Sequence, residues 1–172
     1  MADAEFKSLN IAVLTVSDTR GEAEDVSGKL LVAALQDAGH VNIEKRIVKD
    51  DIFAIRAIVS RWIADPKVDA VLTTGGTGIT GRDGTPEAVS VLLAKQIDGF
   101  GELFRHLSYL EIDTSSLQSR ALAGVANSTY IFVLPGSSGA CRLAWEKLIS
   151  SQLDNRVRPC NLVMLMPRLN EK

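Results

Sequence analysis

The sequence predicts an α/β fold, a three-layer sandwich with a mostly parallel central sheet and helices on both faces. Two observations carry that reading. Continuous apolar runs such as Ile11-Ala12-Val13-Leu14 read as strands whose two faces are both covered. Between them lie segments with apolar residues at helical spacing, so strand and helix alternate through the first half of the chain, as parallel βαβ units do.

The elements follow in order. A first strand spans 11–17, ending in Thr15-Val16-Ser17. The polar stretch from Asp18 contains Gly21 and is a loop. Ser27 is placed to cap a helix over 28–38, with Leu30, Leu31, Ala34 and Leu35 on one face and Gly39 as its stop. Residues 41–48 alternate as a second strand. Asp50-Asp51 precedes a helix over 52–64, whose apolar face carries Ile55, Ile58, Val59 and Trp62, and Pro66 ends it. Residues 68–73 form a third strand. Thr85-Pro86-Glu87 opens a helix to about Lys95, with Thr85 as cap and Pro86 in the first turn. Gly99 and Gly101 break the chain before a helix over 102–111. Residues 121–125 and 130–134 pair as strands about Asn127-Ser128. A turn at 135–139 leads into a helix over 141–150. The apolar residues 162–166 read as a strand or a buried C-terminal segment.

Bulk properties narrow the function class. The 172 residues suit one domain spanning 1–172. With 46% hydrophobic and 23% charged residues, the chain can build a core without a disulfide or metal staple. A net charge of −2 argues against a general nucleic-acid binder. Cys141 and Cys160 lack metal or redox spacing and read as reduced, buried thiols. The N-terminal residues, with Asp3, Glu5 and Lys7, do not resemble a secretory signal, and no apolar run reaches membrane length. These features imply a cytoplasmic protein with no membrane partner.

Four segments fall at predicted strand ends, where parallel sheets bind ligands. They are Ser17-Asp18-Thr19, Asp50-Asp51, Thr74 to Asp83, and Pro135 to Gly139. In the third segment Gly75, Gly76 and Gly78 can turn backbone N–H groups toward an anion, and Thr74 and Thr77 add hydroxyls. No Gly-Lys-Ser/Thr follows, so this is not a P-loop. A GxGxxG string over 76–81 belongs to the third βα unit rather than the first, which weakens a dinucleotide reading. Asp50, Asp51 and Asp83 are either helix caps and turn residues or ligands for Mg²⁺, which takes one or two carboxylates plus phosphate oxygens. Pro135, Gly136 and Ser137 form a turn or a second anion cradle. Ser119 and Arg120 are placed to reach a phosphate, although Arg120 could pair with a surface carboxylate instead. His40, His106, Trp62 and Trp145 read as structural.

Several of these motifs, in this order, resemble the MoaB/MogA family of molybdenum-cofactor biosynthesis proteins. They are Val16-Ser17-Asp18-Thr19, the run from Thr73 to Gly78, Arg82 to Ala88, Gly99 to Arg105, Ser116 to Ala121 and Leu134 to Ser137. The resemblance covers about residues 9–163. Gln118-Ser119-Arg120, Leu153-Asp154 and Arg158 to Asn161 are more similar to the MoaB branch. It implies a trimer, or a hexamer built as a dimer of trimers. It also implies Mg²⁺- and ATP-dependent adenylylation of molybdopterin, with pyrophosphate released. Asp50 and Asp83 match the family's two functionally important aspartates, and the glycine loop with the Ser137 turn would hold the pterin and its phosphate. A pterin-binding module without transfer chemistry is the alternative.

Overall fold

The first strand, β1 (Asn10–Val16), is apolar on both sides because both sides are covered. Ile11 and Val13 join one buried cluster with Leu31, Leu35, Phe104 and Trp145. Ala12, Leu14 and Val16 join the other, with Ile55, Val59, Trp62 and Val89. The period of two along a strand sends alternate side chains to opposite faces, so one sheet serves two cores. The computed structural model describes residues 5–171; the remaining ends of the expected 1–172 domain, including Asp3, lie outside the described residues.

The other strands are β2 (Val41–Val48), β3 (Ala70–Thr74), β4 (Lys95–Gln96), β5 (Leu122–Ala126) and β6 (Thr129–Leu134), in the order β2-β1-β3-β6-β5-β4. The pairs β1/β2, β1/β3 and β3/β6 are parallel. The hairpin of β5 and β6 is antiparallel, as is β4/β5. The helices α1 (Val26–Asp37), α4 (Asp98–Ile112) and α5 (Ser138–Ala144) supply side chains to the first core, and α2 (Ile52–Ala64) and α3 (Thr85–Ser90) to the second. The chain continues through α6 (Ser150–Gln152) and α7 (Leu162–Leu165). The expected three-layer α/β arrangement is present.

Several local expectations are corrected. The cap of α1 is Asp25, whose carboxylate accepts the Gly28 amide at 2.9 Å; Ser27 lies inside the first turn. A carboxylate three residues before an orphan amide is the stronger acceptor at a positive helix end. Thr85 is the first residue of α3 rather than its cap, the cap position being Gly84. That helix stops at Ser90 because Ala94 and Lys95 pair with Val125 instead. Gly99 and Gly101 sit inside α4, and a Cβ at Gly101 would meet the Ala121 carbonyl at 2.8 Å, so that glycine permits close packing on the segment entering β5. Residues 162–165 are helical, with only Val163 buried. Cys141 is buried but Cys160 is exposed. Among the described residues no helix is long and apolar enough to cross a membrane.

Candidate functional site

Strand register makes the carboxyl ends of the parallel strands level. Val16 pairs with Val48, Thr15 with Thr74, and Thr74 with Leu134. Ser17, Asp50, Gly75 and Pro135 therefore lie just beyond one edge of the sheet. The order of the strands reverses at β1, between β2 and β3, and open α/β sheets bind ligands at such a point. A cleft of about 360 Å³ opens there. Ser17, Asp18, Thr19, Arg20, Asp50, Gly75, Gly76, Thr77, Gly78, Arg82, Asp83 and Gly136 line it. A larger cavity of about 450 Å³, beside β4 and the C-terminal segment, lies off these strand ends.

The glycine loop is shaped by contacts that exclude side chains. Gly75 has φ +100° and Gly76 φ +63°, conformations that L-residues rarely adopt. A Cβ at Gly75 would lie 2.1 Å from the Val16 carbonyl. One at Gly76 would lie 2.3 Å from Thr85 Oγ1 and 2.6 Å from Asp50 Oδ2. The Gly75 amide donates to the Leu134 carbonyl at 3.1 Å, and the Gly76 carbonyl accepts from Thr85 N–H at 2.9 Å. Among the described residues, the Gly76 and Thr77 amides are bonded to no protein acceptor.

The structure separates Asp50 from its neighbour. Asp51 caps α2, its Oδ1 accepting the Ala54 amide at 2.8 Å. Asp50 turns to the loop instead, and its Oδ1 accepts the Gly84 amide at 3.2 Å. Asp83 faces the same loop: a Cβ at Gly78 would lie 2.5 Å from Asp83 Oδ2. The Asp83 carboxylate also accepts the Thr80 amide at 2.9 Å and the Thr80 hydroxyl. Burial raises the Asp50 carboxyl above its ordinary range, helped by the negative charges of Asp83 and Asp18. The Thr80 hydroxyl bond holds the Asp83 carboxyl below that range, with the Thr80 and Gly78 amides and the Arg120 charge acting in the same sense. Two carboxylates with opposite shifts thus flank one loop.

The remaining cleft residues are arranged around them. Asp18 Oδ1 accepts the Asp50 amide at 3.2 Å and pairs with Arg82 at 2.7 Å. Ser17 Oγ accepts the Thr19 and Arg20 amides, closing the turn after β1. Arg20 donates to the Gly136 carbonyl at 3.1 Å and ties that turn to the one after β6. Thr74 is fully buried, and its hydroxyl donates to the Pro135 carbonyl at 2.9 Å. It fixes the Pro135 turn rather than lining the cleft. Ser137 caps α5 by accepting the Ala140 amide at 3.2 Å. Ser137 and Ser119 line a second cavity of about 200 Å³ beyond the glycine loop, with Thr77 and Gly78 shared between the two cavities. Arg120 lies behind the loop, donating to the Thr77, Gly78 and Asp83 carbonyls and the Glu87 carboxylate.

Sequence reasoning missed Thr80, the group that holds Asp83, and the cavity residues Phe104, Ser108 and Ser116. Thr80 sits three residues before Asp83, a spacing that signals a side-chain-closed turn. His40 is structural as expected: it is buried, accepts the Leu9 amide at 3.2 Å and packs tilted against Phe6 and edge-on to Trp145.

Comparison with known proteins gives one consistent result. The family described as "Probable molybdopterin binding domain" matches residues 12–155. Molybdenum cofactor biosynthesis protein B of Escherichia coli (strain K12) is 57% identical over 157 residues, covering 91% of this chain and 92% of that protein. A crystal structure of molybdenum cofactor biosynthesis protein B superposes with TM-score 0.86 at 46% identity, over 96% of this chain and 98% of that one. The tungsten cofactor synthesizing protein MoaB from Pyrococcus furiosus superposes with TM-score 0.77 at 37% identity, over 84% and 92% of the two chains.

Proposed function

This chain belongs to the molybdopterin-binding family of molybdenum-cofactor biosynthesis proteins, and from that membership we propose that it transfers AMP from ATP to molybdopterin in the cleft at the strand ends. One observation carries the reading. Asp50 and Asp83 stand against Gly76 and Gly78 of a single loop, so acidic groups and free backbone amides meet where phosphates would bind.

The reaction needs two polyanions brought together. A terminal phosphate oxygen of molybdopterin attacks the α-phosphorus of ATP, forming one phosphorus–oxygen bond. The bond from that phosphorus to the bridging β-oxygen breaks, and pyrophosphate leaves with its electron pair. The attacking phosphate is already ionised at neutral pH, so no general base is needed, in keeping with a cleft that holds no histidine. The amides of Gly76 and Thr77 would hold phosphate oxygens and counter the negative charge gathered during attack. The second cavity, with serine hydroxyls beside Phe104 and Pro135, would hold the flat, polar-edged pterin. Its shared border at Thr77 and Gly78 would set the two substrates side by side.

Asp50 and Asp83 would hold Mg²⁺, and the donor set fits that ion. Two carboxylates make an incomplete shell, which Mg²⁺ completes with phosphate oxygens and water. Burial does most to raise the Asp50 carboxyl, and the nearby charges of Asp83 and Asp18 add a repulsion that a bound cation would relieve. When bound, the ion supplies positive charge against the triphosphate.

Self-association as a trimer or hexamer belongs to the same proposal. Leu103, Leu110, Ile112 and Leu117 are exposed on α4 and the turn after it, and supply apolar surface for it. Light scattering of the full chain reads the assembly size. The assay for the transfer itself is pyrophosphate release from ATP and molybdopterin, with and without Mg²⁺. Mg²⁺-dependent release supports adenylylation. Retained molybdopterin binding without release would leave a pterin-binding protein.

A further inference from the structure

We infer that Arg120 is a positioning residue that aims both Asp50 and Asp83 from behind the glycine loop, through the peptide planes its guanidinium holds. This rests on the transfer reading only for its nucleotide-binding measurement.

Arg120 precedes β5 and points at the back of the loop. Its Nε donates to the Thr77 carbonyl at 3.2 Å. One terminal nitrogen donates to the Gly78 carbonyl and, at 3.0 Å, to the Asp83 carbonyl. The other pairs with Glu87 in the first turn of α3. A single planar fork therefore binds three loop carbonyls and is itself anchored to a helix. Lysine has the charge but not the fork.

A trans peptide unit is planar, with its C=O and N–H pointing in opposite directions. Drawing the Asp83 carbonyl onto Arg120 turns the Gly84 N–H away from it, and that amide donates to Asp50 Oδ1 at 3.2 Å. Drawing the Thr77 carbonyl onto Arg120 turns the Gly78 N–H away likewise. The Gly78 amide is one of the groups that stabilise the Asp83 carboxylate, and Gly78 leaves Asp83 room that a Cβ would take. On the front of the loop Asp50 is thus bonded to an amide whose partner carbonyl is held from the back, and Asp83 stands close against Gly78, whose preceding carbonyl is held from the back in the same way. Arg120 also follows Ser116 and Ser119 of the second cavity's wall, so the same side chain ties that wall to the loop.

The test compares Arg120→Lys and Glu87→Gln with the unsubstituted full chain, with Arg120→Ala added if it folds. Amide hydrogen exchange is followed at Gly78 and Gly84 without ligand, against β1 and β3 as internal references. Binding of ATP with Mg²⁺ is measured separately by calorimetry. In Arg120→Lys, exchange at both glycines rises about tenfold while β1 and β3 do not change. Nucleotide affinity falls about tenfold, and Glu87→Gln shows a smaller change of the same kind. Unchanged exchange at Gly78 and Gly84 in Arg120→Lys overturns the inference. Raised exchange with unchanged nucleotide affinity overturns it too, because the brace would then serve folding alone. If the unsubstituted protein releases no pyrophosphate, the transfer reading falls, and the exchange and binding measurements still decide Arg120.

Discussion

Asp50 is held by the backbone it faces: its Oδ1 accepts the Gly84 amide at 3.2 Å, while its Oδ2 lies on the Gly76 side of the carboxylate. Asparagine at position 50 keeps a carbonyl oxygen for that amide and loses only the charge. Asp50→Asn is therefore expected to fold with a melting temperature close to that of the unsubstituted protein. AMP transfer should fall by about a hundredfold or more, and Asp83→Asn should behave alike. Near-normal turnover in a folded Asp50→Asn protein would remove the charge from the mechanism.

The glycines divide by what surrounds them. Gly75→Ala places a Cβ 2.1 Å from the Val16 carbonyl at φ +100°, and Gly76→Ala places one between Thr85 and Asp50 at φ +63°. Each should lose about 1–3 kcal/mol or more in denaturant titration. Gly139→Ala meets nothing within 4 Å and lies in α5, so it should gain about 0.5–1 kcal/mol. Equal effects at all three positions would contradict the packing around the loop.

Buried Asp25 pairs with the partly buried Lys45 at 2.6 Å, with Asp25 also taking the Thr15 hydroxyl and the Gly28 amide. Burial alone would raise the Asp25 carboxyl, but Lys45 and these donors outweigh it and hold it below its ordinary range. Asp25→Ala leaves the Lys45 ammonium with only the exposed Glu22 and should lower stability by about 3–5 kcal/mol by chemical denaturation. A loss below about 1 kcal/mol would mean the pair holds little.

Glu44 on β2 accepts the Trp62 indole N–H at 2.7 Å and pairs with Arg46 and Arg61. The indole bond is the largest of the causes that lower its carboxyl from 4.5 to about 2. A depressed carboxyl stabilises the fold above its unfolded value, and that stabilisation is lost as pH falls through the folded one. The Glu44 contribution should thus disappear between pH 4.5 and about 2. Glu44→Gln should lose about 1–2 kcal/mol at neutral pH and show a shallower acid limb over that window. A Glu44→Gln stability curve parallel to the original throughout would assign the acid transition elsewhere.

The two thiols should differ in reactivity. Burial pushes Cys141 up to about 11, while Cys160 is exposed. A disulfide reagent at neutral pH should label one thiol per native chain and two after unfolding. Rapid labelling of Cys141 in the native protein would show that α5 opens from the sheet.

The layered fold was legible because both signals that encode it are local. Continuous apolar runs marked β1 and β3, and helical spacing marked α2 with the bounds 52–64 that the structure shows. Errors gathered where a contact distant in sequence decides a local conformation. Gly101 reads as a breaker until the segment entering β5 is packed against it, and Lys95 reads as the end of a helix until Val125 offers a pairing edge. The candidate site was legible as four strand-end segments, because parallel topology sends them to one edge.

By itself the sequence determined the α/β class and the candidate glycine and aspartate positions, since each follows from residue type and short spacing, and its ordered motifs carried the resemblance to the family. Only the tertiary structure decided the orientations. It separated Asp51, a helix cap, from Asp50, which faces the loop. It turned the Thr74 hydroxyl inward to Pro135 and placed Arg120 behind the loop, on carbonyls separated from it by 37 to 43 residues. A side chain's direction depends on which acceptors the rest of the fold brings within reach of its few hydrogen-bonding atoms, and those acceptors come from segments far apart in the chain.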